Sequence, residues 1–156
     1  MTSVFTFPTV LRQLLRTHQA FLSYAARHVH ALDLTLPQYD VIITLGNSNG
    51  MQPKKLGEET LITKGTLTGV VSRLEDKGLV ERLASKKDGR SQIVRLTEAG
   101  RAIYEQTFPE HLTHINRLFD QYSPEEIAKL EDDLVRLHQA VIATRGGNIE
   151  EPADEF

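Results

Sequence analysis

Residues 63–95 read Thr63-Lys-Gly-Thr-Leu67-Thr-Gly-Val-Val-Ser-Arg73-Leu-Glu-Asp-Lys-Gly78-Leu-Val-Glu-Arg-Leu83-Ala-Ser-Lys-Lys-Asp88-Gly-Arg-Ser-Gln-Ile93-Val-Arg95, and the fold turns on how this stretch is read. Its first half has helical period. Leu67, Val70, Val71 and Leu74 fall at i, i+3, i+4 and i+7 and make one apolar stripe. Thr63 is placed to cap the start, and Gly78 to end the helix in the left-handed conformation. The opposite face carries Lys64, Thr66, Thr68, Gly69, Ser72 and Arg73. With no large apolar group among them, such a face can enter a groove. The period then changes. Gln92 to Leu96 is β-branched and partly alternating, residues 79–83 suit a partner strand, and Asp88-Gly89 marks the turn between them. The result is a hairpin with a cationic tip of Lys86, Lys87 and Arg90.

Charge follows the same division. Residues 63–95 hold eight basic and four acidic side chains, so the segment is +4, while the other residues, with ten basic and seventeen acidic, are −7. An acidic chain that gathers its positive charge into one helix and hairpin has the surface a phosphate backbone needs.

In order and spacing, several pieces resemble the recognition helix and wing of the MarR (multiple antibiotic resistance regulator) family of winged helix-turn-helix proteins. They are Thr66, Arg73-Leu74-Glu75, Lys77-Gly78-Leu79-Val80, Asp88-Gly89-Arg90 and the run Val94-Arg95-Leu96-Thr97-Glu98-Ala99-Gly100. Each piece alone is weak; together they are specific, and the resemblance spans residues 7–144. It implies a mainly α fold with a small β-hairpin wing. Residues 1–34 would be an N-terminal dimerisation helix and 35–100 a winged helix-turn-helix DNA-binding domain. Residues 101–145 would be C-terminal dimerisation helices, and 146–156 an acidic flexible tail.

A recognition helix reads base edges from its N-terminal part while phosphates supply most of the affinity. Thr63, Lys64, Thr66 and Thr68, with Arg73 one turn on, are the residues so placed. Taken alone, the threonines equally suit a capped and solvated surface helix; the basic hairpin beside them favours the groove. Lys86 and Arg90 are the expected wing contacts. Arg90 resembles the family arginine that enters the minor groove, with Asp88 orienting it. The chain departs from the pattern at three positions: Gly69 stands where some members carry a long base-reading side chain, Ser72 where aspartate is common, and Gly89 where a second wing arginine is usual. The base-reading set is therefore thin. Either specificity is modest, or Gly65 and Gly69 let the helix backbone approach the groove closely, or duplex shape carries part of the recognition.

Outside this segment the chain reads as helices. Residues 8–32 have leucine, phenylalanine, histidine and alanine recurring at three and four, a long first helix that the resemblance assigns to a dimer interface. Thr35-Leu36-Pro37-Gln38 is a capping box opening a helix that buries Tyr39, Ile42, Ile43 and Leu45 and ends in the turn at 46–50. Pro53 opens a short helix anchored by Leu56. Thr97 caps a long helix reaching Phe119, and Pro109 within it either kinks the helix or divides it in two. Ser123-Pro124-Glu125-Glu126 is a second capping box. It precedes a heptad-like seam of Ile127, Leu130, Leu134, Leu137 and Val141, suited to packing on the first helix or on a second subunit.

Length and composition narrow the function. A chain of 156 residues, 40% hydrophobic and 25% charged, suits one compact protomer. No apolar run approaches the roughly 20 residues of a membrane span, and Met1 to Phe7 shows no export pattern, so the expected address is cytoplasmic. With no cysteine, disulfides, thiolate metal sites and thiol sensing are excluded. His28 with His30, and His111 with His114, offer two ligands apiece where zinc wants three or four, so no metal and no cofactor are assigned. No catalytic pattern appears, and the chain is not expected to be an enzyme.

The expected function is therefore a sequence-specific transcriptional regulator: a repressor binding double-stranded DNA, on a pseudo-palindromic site, as a homodimer. The resemblance adds release by a small aromatic or phenolic effector bound between the dimerisation helices and the DNA-reading part. His18, Tyr24, Arg27 and Tyr39 are as well explained by ordinary helix surface as by such a pocket, and no effector residue is assigned. The rival is a winged-helix dimer used for protein contacts, with DNA binding lost.

Overall fold

The capping box at Thr35 forms as its spacing requires and fixes how the chain enters the core. In a computed structural model describing residues 7–60, 62–84 and 91–145, Thr35 Oγ1 accepts from Gln38 N at 3.4 Å and Gln38 Oε1 accepts from Thr35 N at 3.0 Å. The elements are α1 (Phe7–His30), α2 (Leu36–Gly46), α3 (Pro53–Thr60), α4 (Lys64–Asp76), β1 (Val80–Ala84), β2 (Gln92–Leu96), α5 (Glu98–Asn116), a 3-10 helix (Arg117–Phe119) and α6 (Pro124–Arg145). The architecture is mainly helical with a two-stranded antiparallel hairpin, the expected fold class.

The chain divides into two compact units, Met1–Ile115 and Asn116–Phe156. In the first, Tyr39, Ile42 and Leu45 of α2 are buried with Leu56 of α3, the Leu67, Val70, Val71 and Leu74 stripe of α4, and Val80, Val94 and Leu96 of the hairpin. Each such side chain removed from water contributes about 1.5–3 kcal/mol. Burial of the stripe fixes the roll of α4 about its axis and turns its polar face outward.

The end of α4 is set by Gly78, whose φ of 71° lies in the left-handed region. Gly78 N donates to Glu75 O at 2.8 Å and Leu79 N to Leu74 O at 2.9 Å, a Schellman closure that turns the chain into β1. The hairpin register pairs Val80 with Leu96, Arg82 with Val94 and Ala84 with Gln92. The strand expected at 79–83 thus starts one residue later, because Leu79 is spent on the helix cap. Met51 adds a bridge that the sequence reading missed: its N–H and C=O pair with Val94, both at 2.9 Å.

Thr97 joins the two ends of the winged unit. Its hydroxyl donates to Gly78 O at 2.6 Å and accepts from Gly100 N at 3.1 Å, capping α5 while tying it to the end of α4. Gly100 is demanded by contact, since a Cβ there would collide with the Leu79 carbonyl oxygen.

Two boundaries differ from expectation. α1 stops at His30 rather than 32, where Leu32 N bonds Val29 O and Asp33 takes a φ of 54°. α5 runs unbroken through Pro109, so the proline does not divide it; the segment leaves α geometry at Asn116 and finishes as the 3-10 helix. In the second unit, Ser123 and Glu126 close the other capping box, with bonds of 2.8 and 3.2 Å, and open α6. Along α6, Ile127, Leu130, Leu134 and Val141 are exposed and Leu137 is half-buried.

Candidate nucleic-acid interface

With its stripe buried, α4 leaves Thr63, Lys64, Thr66, Thr68 and Arg73 exposed on the outer face. Thr63 does occupy the N-cap position, but the expected side-chain cap is not made. Its hydroxyl donates instead to Thr66 Oγ1 at 3.1 Å. Thr68 Oγ1 donates to Lys64 O at 3.2 Å, one turn back. These bonds separate the two threonines chemically. Thr66 keeps its own hydroxyl proton available to donate, while Thr68 keeps its oxygen available to accept.

A cleft of about 850 Å³ lies between α3, α4 and the hairpin. Ile62, Leu67, Val71 and Val94 form its floor, and Lys54, Lys64, Thr68, Ser72 and Arg82 stand around it. Arg82 of β1 ion-pairs with Glu75 of α4 and donates to Ser72 Oγ at 3.2 Å. Ser72, which departs from the family's aspartate, thus receives the guanidinium as a neutral acceptor.

The cationic surface is smaller than the charge count implied. Lys77 pairs with Asp33 at 3.2 Å, Arg95 with Glu81 at 2.7 Å, and Arg82 with Glu75, so three of the segment's five cations among the described residues face the protein's own carboxylates. Lys64 and Arg73 make no ion pair among the described residues. Lys54 of α3 lines the same cleft as Lys64, and both it and its chain neighbour Lys55 are exposed and likewise without an ion pair among the described residues. The sequence reading passed over these two, although two lysines directly after Pro53, in the first turn of the preceding helix, were the available signal. The wing residues Lys86, Asp88 and Arg90 lie outside the described residues, as does the acidic tail at 146–156.

The histidines are paired differently from their spacing. His30 is exposed, while His28 of α1 meets His111 and His114 of α5 at ring separations of 5.4 and 5.6 Å. Among the described residues no three His, Cys, Asp or Glu side chains are arranged to hold a metal ion. Tyr39 and Tyr24 are not free for a ligand in this conformation. The Tyr39 hydroxyl bonds Thr107 Oγ1 at 2.9 Å, and the Tyr24 hydroxyl donates to His114 O at 2.7 Å.

A buried-stripe helix with a polar outer face, followed by a hairpin, is the arrangement that comparison with known proteins also finds. The sequence profile described as MarR family matches residues 32–91. The HTH-type transcriptional regulator YfiV of Bacillus subtilis is 30% identical over 110 residues, covering 70% of this chain and 69% of that protein. The chain belongs to the MarR family. MhqR of Bacillus subtilis, also an HTH-type transcriptional regulator, is 27% identical over 78% of this chain and 84% of its own length. A mutant MarR from E. coli, solved complexed with operator DNA, is 28% identical, has a TM-score of 0.74, and is matched over 87% of this chain and 99% of its own. As a MarR member the protein is a DNA-binding transcriptional regulator, and the rival of a winged fold kept only for protein contacts falls away. Among the described residues no helix is long and apolar enough to cross a membrane.

Proposed function

We propose that the protein is a homodimeric repressor that lays α4 of each protomer in successive major grooves of a pseudo-palindromic operator. The observation that carries this reading is the exposed edge of α4, where Lys64, Thr66 and Thr68 precede Arg73, and Lys64 and Thr68 share a cleft with Lys54. Lysines and Arg73 bind phosphate; Thr66 and Thr68 meet base edges as donor and acceptor; Thr63 holds Thr66 in place. In the wing, Lys86 and Arg90 contact the backbone and minor groove and Asp88 orients Arg90. The operator complex of the E. coli relative supports the class of partner.

Two protomers are needed because one helix and wing cover too few base pairs for genomic specificity. Two-fold pairing sets half-site centres about 34–36 Å apart, or a multiple of that. Exposed Leu14, Leu15, Phe21 and Leu22 on α1, and Ile127, Leu130 and Leu134 on α6, supply apolar surface for the pairing. A small aromatic or phenolic effector completes the proposal. Such a ligand releases DNA only by binding better to protomer spacings that do not fit the operator.

Selection of bound sequences from random duplexes, followed by a salt titration on the selected site, tests the reading. A two-fold symmetric consensus and a steep fall of log affinity with log salt are expected. Absence of binding to any duplex, or binding indifferent to salt, overturns it. Within that assay Arg90→Ala weakens binding and leaves thermal stability unchanged.

A further inference from the structure

The contact between α1 and α5 is built from imidazoles and phenols where helices ordinarily use aliphatic side chains. Tyr24 stacks on His114 with ring centroids 4.1 Å apart, His28 lies against both His111 and His114, and Tyr39 of α2 sets its edge on His111 at 4.8 Å. The Tyr24–His114 contact is doubly bonded: the Tyr24 hydroxyl donates to His114 O, and His114 Nε2 lies 3.1 Å from Tyr24 O. A carbonyl can only accept, so His114 carries its proton on Nε2. His111 is 8% exposed, and its Nδ1 and that of His28 are buried without a hydrogen-bond partner. A buried ring nitrogen without a partner is stable as an uncharged lone pair and unstable as a cation.

The charged and titratable surroundings offer little relief. From α1 come Tyr24, His28 and Arg27, whose guanidinium sits 5.8 Å over the Tyr24 ring. From α5 come His114, Tyr104 and Glu110, and from α2 comes Tyr39. The Glu110 carboxylate stands 3.8 Å from His28 Nε2 at the solvent rim, with its side chain 78% exposed, and gives His111 no counter-charge. Burial, and then the neighbouring His28 and His114, hold His111 below the ordinary 6.5 of an imidazole. In sign, a basic group held down in the folded state leaves the unfolded chain binding more protons, so stability is full above 6.5 and is lost as pH falls below it.

We propose that this cluster is a proton-operated latch. Proton uptake on the buried His111 places an unpaired charge within this helix contact, drives α1 from α5, frees Tyr39 and loosens α2, on which α4 packs, so that DNA affinity falls in acid. The proposal rests on the DNA-binding reading above and adds to it a regulatory input, the proton itself. Its direction opposes the general electrostatic trend, because histidines that become cationic on an ordinary surface strengthen binding to DNA.

The test measures affinity of the full chain for its selected duplex, at constant ionic strength, from about pH 7.5 to about pH 5.5, together with thermal melting over the same range. Wild type is expected to weaken by roughly five-fold or more. His111→Phe, which keeps the ring, and His111→Gln, which keeps a polar side chain, both remove the titration and are expected to bind with flattened pH profiles. Wild-type affinity that is constant or rises in acid, or both variants falling in parallel with wild type, overturns the latch. Asp40 of α2 gains stability on acidification because burial raises its carboxyl to about 6, so the melting comparison is made between wild type and variants. If no duplex is bound even at the upper pH, the DNA reading fails and the coupling to DNA with it. Melting then still shows whether the cluster is acid-sensitive, which separates the two failures.

Discussion

Arg82 on β1 and Glu75 at the end of α4 form an ion pair beside the cleft that parts the hairpin from the helix, and the same guanidinium reaches Ser72. The link ties α4 to β1 of the hairpin. It also commits the Arg82 guanidinium to one of the protein's own carboxylates.

Arg82→Met is therefore expected to lower stability by about 1 kcal/mol, the worth of a partly exposed charged pair. It weakens DNA binding with the salt slope unchanged. Lys64→Ala does the reverse: stability stays within about 0.5 kcal/mol, while the slope of log affinity on log salt falls by about one. Urea midpoints and a salt titration of both variants check this. A shallower slope for Arg82→Met would put its guanidinium on phosphate.

A second prediction concerns Gly69. A Cβ built there meets nothing within 4 Å, so the fold has no packing need for glycine at this point of α4. Gly69→Ala is expected to stabilise the free protein by about 1 kcal/mol through helix propensity. If the backbone at this face approaches DNA, the added methyl weakens operator affinity at the same time. Paired melting and anisotropy measurements decide, and a rise in stability with unchanged affinity would remove the close-approach role.

The sequence made the elements legible where local chemistry settles them. Both capping boxes, the α4 stripe and the left-handed Gly78 follow from spacing and turn chemistry alone. What it hid are partners far apart in the chain. Nothing near Lys77 announces Asp33, 44 residues away, and nothing near His28 announces His111. Charge counted along a segment therefore overstated the free cations, and grouping histidines by neighbourhood left out the contact of His28 with His111 and His114. The donor and acceptor roles of Thr66 and Thr68 were equally out of reach, because they depend on which way each hydroxyl turns.

A third prediction follows from Asp40, whose carboxyl is raised by burial from its usual 3.8 to about 6. For an acid raised on folding, the folded state binds the extra proton, so the penalty is absent below 3.8, grows as pH rises, and is complete above about 6. Asp40→Asn is expected to stabilise the protein at neutral pH by about 1 kcal/mol, partial exposure reducing the full value of the shift. The gain should vanish in acid. Urea denaturation of both forms across that range measures it, and a gain independent of pH would assign the effect to something other than the charge.

The last prediction concerns the seam on α6. Leu134 is 49% exposed and Val141 52%, with Ile127 and Leu130 on the same run, an apolar row that an isolated helix of this length would leave in water. If this row meets a second protomer, a carboxylate at its centre must be buried without a partner, which costs more than the seam can return. Leu134→Glu is expected to sediment as a monomer with its helical content by circular dichroism unchanged. Operator affinity should fall by more than roughly ten-fold, because two half-sites are no longer held by one linked pair. A Leu134→Glu protein that remains dimeric and binds normally would move the protomer contact away from α6 and onto the exposed leucines of α1.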